Sequence, residues 1–262
     1  MKLIDWTEYV SNPKEHTVNG TMKIIEKFPM PQFQRQRRIW IYLPPNYHDA
    51  DLTFPVIYMH DGQNLFDRLT SYSGEWCVDE SMNRLCTEKR TRGAIVVGID
   101  NGGEVRFDEY IPSYSGDKYL DFMVNNLKPY IDRAFRTKPS RAHTGTAGSS
   151  LGGLISLYMG LKRPDIFSKI GAFSPAMSFA DDGFQNWVKE YDMKIYLDVG
   201  TNESLPYDSS RKYADLVWNT YYQLLTNGFG NDEVKLVVEK DAGHNEEAWA
   251  RRFPEAFLWL FS

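Results

Sequence analysis

Long apolar runs are missing from this sequence. Unbroken stretches such as Ala94–Val97 span a handful of residues, far below the ~20 that a membrane-crossing helix needs, so an integral helical membrane protein is excluded. Cysteine is nearly absent: Cys77 and Cys86 are too few for a disulfide framework. On the helix expected around them, a rise of about 1.5 Å per residue separates them by roughly 13 Å, out of disulfide reach. No tract of five or more Lys or Arg occurs and the net charge is −5, which argues against nucleic acid as a partner. Pro/Gly/Ser-rich linkers, charge blocks and internal repeats are missing too, so residues 1–262 read as one domain. The first residues reach Asp5 before an apolar segment can form, so the expectation is no secretory leader and a cytoplasmic location.

What is present is enough hydrophobic sequence, 42% of 262 residues, for a sizeable core. Its rhythm changes along the chain. His16–Lys27 alternates and Arg38–Leu43 is a strong strand, stopped by Pro44-Pro45. From Phe54 onward, buried strands alternate with helices. Strands are expected at Pro55–Met59, Ala94–Ile99, Arg141–Ala147, Ile170–Phe173, Met193–Val199 and Val234–Val238. Helices are expected at Trp76–Glu88, Lys118–Phe135, Leu151–Leu161 and Glu246–Leu260, the second with Leu120, Val124, Leu127 and Ile131 on one face. The pattern is that of an α/β protein, a doubly wound, mostly parallel sheet with antiparallel N-terminal edge strands. In such a sheet, function sits on loops at the carboxyl ends of strands.

One such loop carries Gly148-Ser149-Ser150-Leu151-Gly152, a G-x-S-x-G pattern. A chain of this length holds those letters by chance about one time in ten, so the letters alone do not decide. Their placement between a strand and a helix does. The glycines allow a sharp turn that lifts the Ser150 hydroxyl clear of the sheet, and the Leu151 N–H, at a helix N-terminus, is placed to hold an oxyanion. Of five histidines, only His244 follows Ser150, just past a strand, where the base of a Ser–acid–His order belongs. His16 and His48 read as solvated, and His143, within the expected strand, as a packed core or strand-end residue. Glu203, on the loop after Met193–Val199, fits the acid best, with Asp198 and Asp208 as alternatives. His60, Asp61, Trp76, Asn101 and Arg106 fall on or near strand-end loops and are candidates to contact substrate, with a structural role for His60 and a place in the core for Trp76 as equal alternatives. Asn101, Arg106 and Glu109 read equally well as ties within their own loop. The sequence is also rich in rings, 15% aromatic, and Phe66, Tyr72, Trp76 and Phe107 fall where they could line a pocket.

Tyr42-Leu43-Pro44-Pro45-Asn46-Tyr47, Met59–Phe66, Gly148–Gly153 and Gly243-His244 together resemble the esterase D-like family of α/β-hydrolases, whose relatives include feruloyl, acetylxylan and siderophore esterases. The resemblance runs from about Arg38 to the C-terminus. It implies an α/β-hydrolase fold, a Ser150–His244–Glu203 triad, and an oxyanion hole from the Gln63 and Leu151 N–H groups. It also implies no metal or organic cofactor. The expected activity is serine carboxylesterase hydrolysis of small or carbohydrate-linked esters of acetyl or feruloyl type. An acyltransferase on the same triad and a non-catalytic binding protein are the alternatives.

Overall fold

The computed structural model describes residues 2–49, 51–180, 189, 191–204 and 207–262, the side chains of Tyr207 and Asp208 excepted. Nine strands form one sheet: β1 (Ile4–Asp5), β2 (Thr21–Met30), β3 (Arg35–Leu43), β4 (Val56–His60), β5 (Ile95–Ile99), β6 (Thr144–Ser149), β7 (Lys169–Phe173), β8 (Lys194–Asn202) and β9 (Val234–Gly243). Their order is β1-β2-β3-β5-β4-β6-β7-β8-β9. The first three pair antiparallel, as does β3 with β5; from β5 through β9 every pair is parallel.

The pleat explains why these segments settle as strands. Along β3, Ile39, Ile41 and Leu43 join one buried cluster and Trp40 and Tyr42 another; along β4, Val56 and Tyr58 separate in the same way from Ile57 and Met59. Successive side chains point to opposite faces, so a run that is apolar throughout needs cover on both sides. The helix Leu151–Lys162 and the helical stretch 117–134 pack over one face, and Val78–Thr87 and Glu246–Leu260 over the other. Leu120, Val124, Leu127 and Ile131 all enter the first cluster, although that stretch has a π-helical turn at Met123–Leu127. His143 departs from its expected place: Arg141–His143 form a 3₁₀ turn, and the strand starts only at Thr144.

With β4 flanked by β5 and β6, the carboxyl ends of β4, β5 and β6 meet on one rim, and those of β7, β8 and β9 continue it. The order reverses around β4, the place where an open α/β sheet leaves a crevice. No described helix is long and apolar enough to cross a membrane.

Candidate active site

The rim encloses a cavity of about 840 Å³ whose lining includes Asp61, Gln63, Asn64, Tyr72, Asn101, Arg106, Ser149, Ser150, His244, Glu246 and Trp249. Ser150 sits between β6 and the helix Leu151–Lys162 at φ 56°, ψ −123°, a region non-glycine residues rarely occupy, at a cost of about 1–3 kcal/mol. Neighbouring backbone holds it there. Its N–H donates to the Phe173 carbonyl at 3.0 Å, and its carbonyl accepts from Leu154 N and Ala176 N, both at 3.0 Å. The turn admits no side chain at Gly148, where a Cβ would lie 2.8 Å from the Gly152 carbonyl group. The Leu151 N–H opens the helix and so has no intrahelical partner.

On the β4 side, Asp61 turns the chain in the left-handed region, φ 57°, ψ 47°, and leads into a 3₁₀ turn, Gly62–Asn64. Gly62 passes so close to β5 that a Cβ would lie 2.8 Å from Gly98 C and Ile99 N. The Asp61 carboxylate accepts three bonds: from Arg106 Nε at 2.7 Å, Arg106 Nη2 at 2.8 Å and Asn101 Nδ2 at 2.7 Å. The Asn101 N–H donates back to Gln63 Oε1 at 3.1 Å. The loops after β4 and β5 are thus stitched together around Gln63, and Asp61, Asn101 and Arg106 spend their polar groups largely on one another. Glu109 is likewise held internally, accepting from Arg37 Nη2 at 2.7 and 2.8 Å.

On the opposite side, β8 runs to Asn202 and β9 to Gly243, which carries Glu203 and His244 past neighbouring strand ends. His244 Nδ1 lies 2.5 Å from Glu203 Oε2. Glu203 is buried, and burial alone would raise its pKa. The bonds from His244, Ser174 Oγ (2.6 Å to Oε1) and the Gly200 N–H (2.5 Å to Oε1) outweigh that and hold the carboxyl below the usual range. With Nδ1 engaged, Nε2 is the ring nitrogen left for chemistry.

Asp198, the alternative acid within the strand, faces elsewhere. It is fully buried, accepts from the Ser174 N–H at 2.9 Å and sits 3.1 Å from Arg252 Nε. Burial drives its pKa up to about 7 against the opposing pull of Arg252. The side chain of Asp208, the other alternative, lies outside the described residues.

Two of the candidate substrate contacts, His60 and Trp76, are buried off the cavity lining and take the structural alternative. His60, 1% exposed, has Nδ1 3.1 Å from the Tyr119 hydroxyl and Nε2 3.3 Å from Thr146 Oγ1. Burial pushes its pKa down to about 4, so the ring is packed neutral. Trp76, 2% exposed, lies against Phe173, Trp249 and Phe253, because the chain after Gly74 dives under the Glu246–Leu260 helix. Phe66 is also buried, and Phe107 belongs to an exposed cluster with Tyr114 and Phe179. Rings on the described cavity lining are those of Tyr72 and Trp249. Of the histidines read as solvated, His16 is 2.7 Å from Asp67 Oδ2 and edge-on to Trp6.

Nothing in the sequence singles out Ser174, Tyr213, Asn64, Glu246 or Trp249 as part of the site. Asn64 Nδ2 donates to Glu246 Oε1 at 3.1 Å, joining the loop after β4 to the helix after β9. Ser174, Tyr213 and Trp249 belong to no motif; Asn64 lies within Met59–Phe66, and Glu246 is two residues from His244. Among the described residues, one group of side chains, Glu75, Cys77 and Glu80, is close enough together to hold a metal ion, and none of the three lines the cavity.

Known proteins resemble this chain in sequence or in fold. The Bacillus subtilis protein called "Uncharacterized protein YbbA" is 27% identical over 242 residues, covering 86% of this chain and 92% of its own. The enterobactin esterase FES from Shigella flexneri, solved in the presence of enterobactin, matches at TM-score 0.73 and 18% identity over 93% of this chain, which spans 59% of it. A ferulic acid esterase from Anaeromyces mucronatus, solved with ferulic acid, matches at TM-score 0.70 and 22% identity over 92% of this chain and 90% of its own. The fold is that of the α/β-hydrolases. The model of the "Putative esterase" family matches residues 31–260, and the chain belongs to that family, a carboxylic ester hydrolase.

Proposed function

We propose that the chain is a serine carboxylesterase acting on small or carbohydrate-linked esters of acetyl or feruloyl type, through Ser150, His244 and Glu203. The observation that carries this reading is the 2.5 Å contact between Glu203 Oε2 and His244 Nδ1, with His244 lining the same cavity as the turn-borne Ser150. His244 Nε2 takes the Ser150 proton as Oγ attacks the ester carbonyl. Glu203 fixes the imidazole tautomer and offsets the imidazolium charge. The Gln63 and Leu151 N–H groups stabilise the tetrahedral oxyanion, each worth ~3 kcal/mol. The C–O bond to the alcohol then breaks, His244 returns the proton to the departing alkoxide, and an acyl-enzyme remains. Water, deprotonated by His244, cleaves it and releases the acid.

Lining composition supports the substrate class. Charged and amide side chains dominate the cavity, and its rings are Tyr72, 91% exposed, and Trp249. Such a wall suits a hydroxylated alcohol, with Tyr72 free to stack on a sugar or an aromatic acyl group, better than a long apolar chain. The expected result is hydrolysis of p-nitrophenyl acetate or butyrate, with Ser150→Ala reducing kcat by at least about 10³-fold. Turnover retained by that variant sinks the mechanism. Acetylated sugars against methyl ferulate then separate the two acyl classes, and added sugar acceptor separates hydrolysis from transfer.

A further inference from the structure

Ser174 follows β7 and is fully buried, with φ at +39°. Backbone geometry alone would favour glycine there. The side chain instead makes three contacts. Ser174 Oγ lies 2.6 Å from Glu203 Oε1, 3.1 Å from Trp249 Nε1 and 3.3 Å from Arg252 Nη2. The indole and guanidinium groups can only donate, so they occupy the hydroxyl's acceptor positions and direct its single proton to Glu203 Oε1. With the Gly200 N–H also on Oε1, that oxygen is taken up, and Oε2 is the one turned to His244.

The backbone of Ser174 works in the same direction. Its carbonyl accepts from the Tyr213 hydroxyl at 2.7 Å, and its N–H donates to Asp198 Oδ1 at 2.9 Å. Tyr213 and Trp249, both tied to Ser174, stand edge-on to the His244 ring, with centroids 5.4 and 5.0 Å away and interplanar angles of 70° and 86°. The preceding carbonyl, that of Phe173, holds the Ser150 N–H. Acid, base and nucleophile arise from three strand ends: Ser174 bonds the acid, ties both rings beside the base, and directly follows the residue whose carbonyl holds the nucleophile.

We infer that Ser174 is a positioning residue of this site: its hydroxyl selects which Glu203 oxygen faces His244, and its carbonyl with its Oγ sets the Tyr213 and Trp249 rings that clamp the imidazole. The inference rests on the triad reading above. Removing the hydroxyl takes a hydrogen-bond donor from Glu203, which makes the carboxylate more basic and the facing imidazolium more stable. The kinetic consequence is a change in how the base titrates, beyond a loss of rate.

The test compares Ser174→Ala with Ser174→Gly in the full chain, reading kcat, KM, Tm and the pH profile of kcat/KM. Glycine relieves the positive φ and alanine does not, so the two differ in stability while both lack the hydroxyl. We expect kcat to fall about 10–100-fold in both, with KM within about twofold. The acid limb of kcat/KM should rise by about half a pH unit in both, whatever their Tm values. A wild-type acid limb in both variants overturns the inference, even where kcat falls, since a merely structural role predicts loss that follows Tm. If alanine prevents folding, the glycine variant alone decides. Ser150→Ala run alongside keeps the two readings apart: turnover surviving there removes the triad itself, whereas an inactive Ser150→Ala with unmoved Ser174 profiles removes only the role of Ser174.

Discussion

The two walls of the cavity use their carboxylates in opposite ways. On the β4–β5 side, Asp61 is gripped by both prongs of Arg106 and by Asn101, so its charge is neutralised in place and the loop bearing Gln63 is fixed. On the β7–β9 side, Glu203 is held by a hydroxyl and a backbone N–H, neutral donors that orient it without cancelling its charge. That charge stays available to an imidazole. Equal chemistry thus serves rigidity on one wall and, on the mechanism proposed above, proton transfer on the other, and the difference lies in whether the partner is a cation. A fixed backbone dipole needs no proton exchange, so an ion pair can lock it. A base that must gain and lose a proton needs an anion that is uncommitted.

Substitution can break this contrast at either wall. The largest effect after loss of Ser150 belongs to Glu203→Gln, which removes the free charge yet keeps the shape. We expect kcat to fall about 10²–10⁴-fold with an unchanged circular dichroism spectrum; an equal fall in Asp208→Asn with none in Glu203→Gln would reassign the acid. Arg106→Ala acts on the other wall. It leaves Asp61 with Asn101 alone and loosens the Gln63 loop, so kcat should fall about tenfold through weaker oxyanion binding, with a stability loss of about 1–3 kcal/mol in urea unfolding. A pH profile unchanged in Arg106→Ala but altered at Glu203 would sharpen the division between the walls.

The smallest kinetic effect is expected at His60. Its folded pKa, about 4, lies below the ordinary 6.5, so between those values the unfolded chain binds more protons than the folded one. Stability from keeping this ring neutral is complete above pH 6.5 and is lost as pH falls towards 4, by about 3 kcal/mol. Asp198, with its pKa raised to about 7, has the opposite slope over an overlapping range. His60→Gln is therefore read as a difference from the parent: its urea-unfolding free energy should fall less between pH 6.5 and 4, with kcat at neutral pH within about twofold. An equal acid loss in both proteins would show that another group carries it.

Strand ends were legible because a buried parallel strand must be apolar throughout and must stop at glycine or a polar residue, as Gly98, Gly148 and Gly200 do near theirs. Ser150 stood out through local spacing, and His244 and Glu203 through their distance past a strand. For His60 and Trp76 the sequence left pocket and core open, because a loop position does not reveal which way the chain turns. His60 closes β4 with its ring inside, between Tyr119 and Thr146, and the segment after Gly74 turns Trp76 under a helix. Aromatic content misled in part for a similar reason: of the four rings placed near the pocket, Phe66 and Trp76 went into the sheet's covering layers, and Phe107 into an exposed cluster.

The sequence by itself determined the alternation of buried strands and helices, the turn at Ser150 and the identity of the residues at each strand end, since all of these follow from local pattern and backbone sterics. Only the tertiary structure decided which groups meet. That Tyr213 and Trp249 stand against His244 with Ser174 tied to both, and that Asp61 is bound to Arg106 while Glu203 is left its charge, depends on strand order and on how far each strand extends beyond its neighbour. Those are properties of pairing between segments far apart in the chain, and no single segment encodes them.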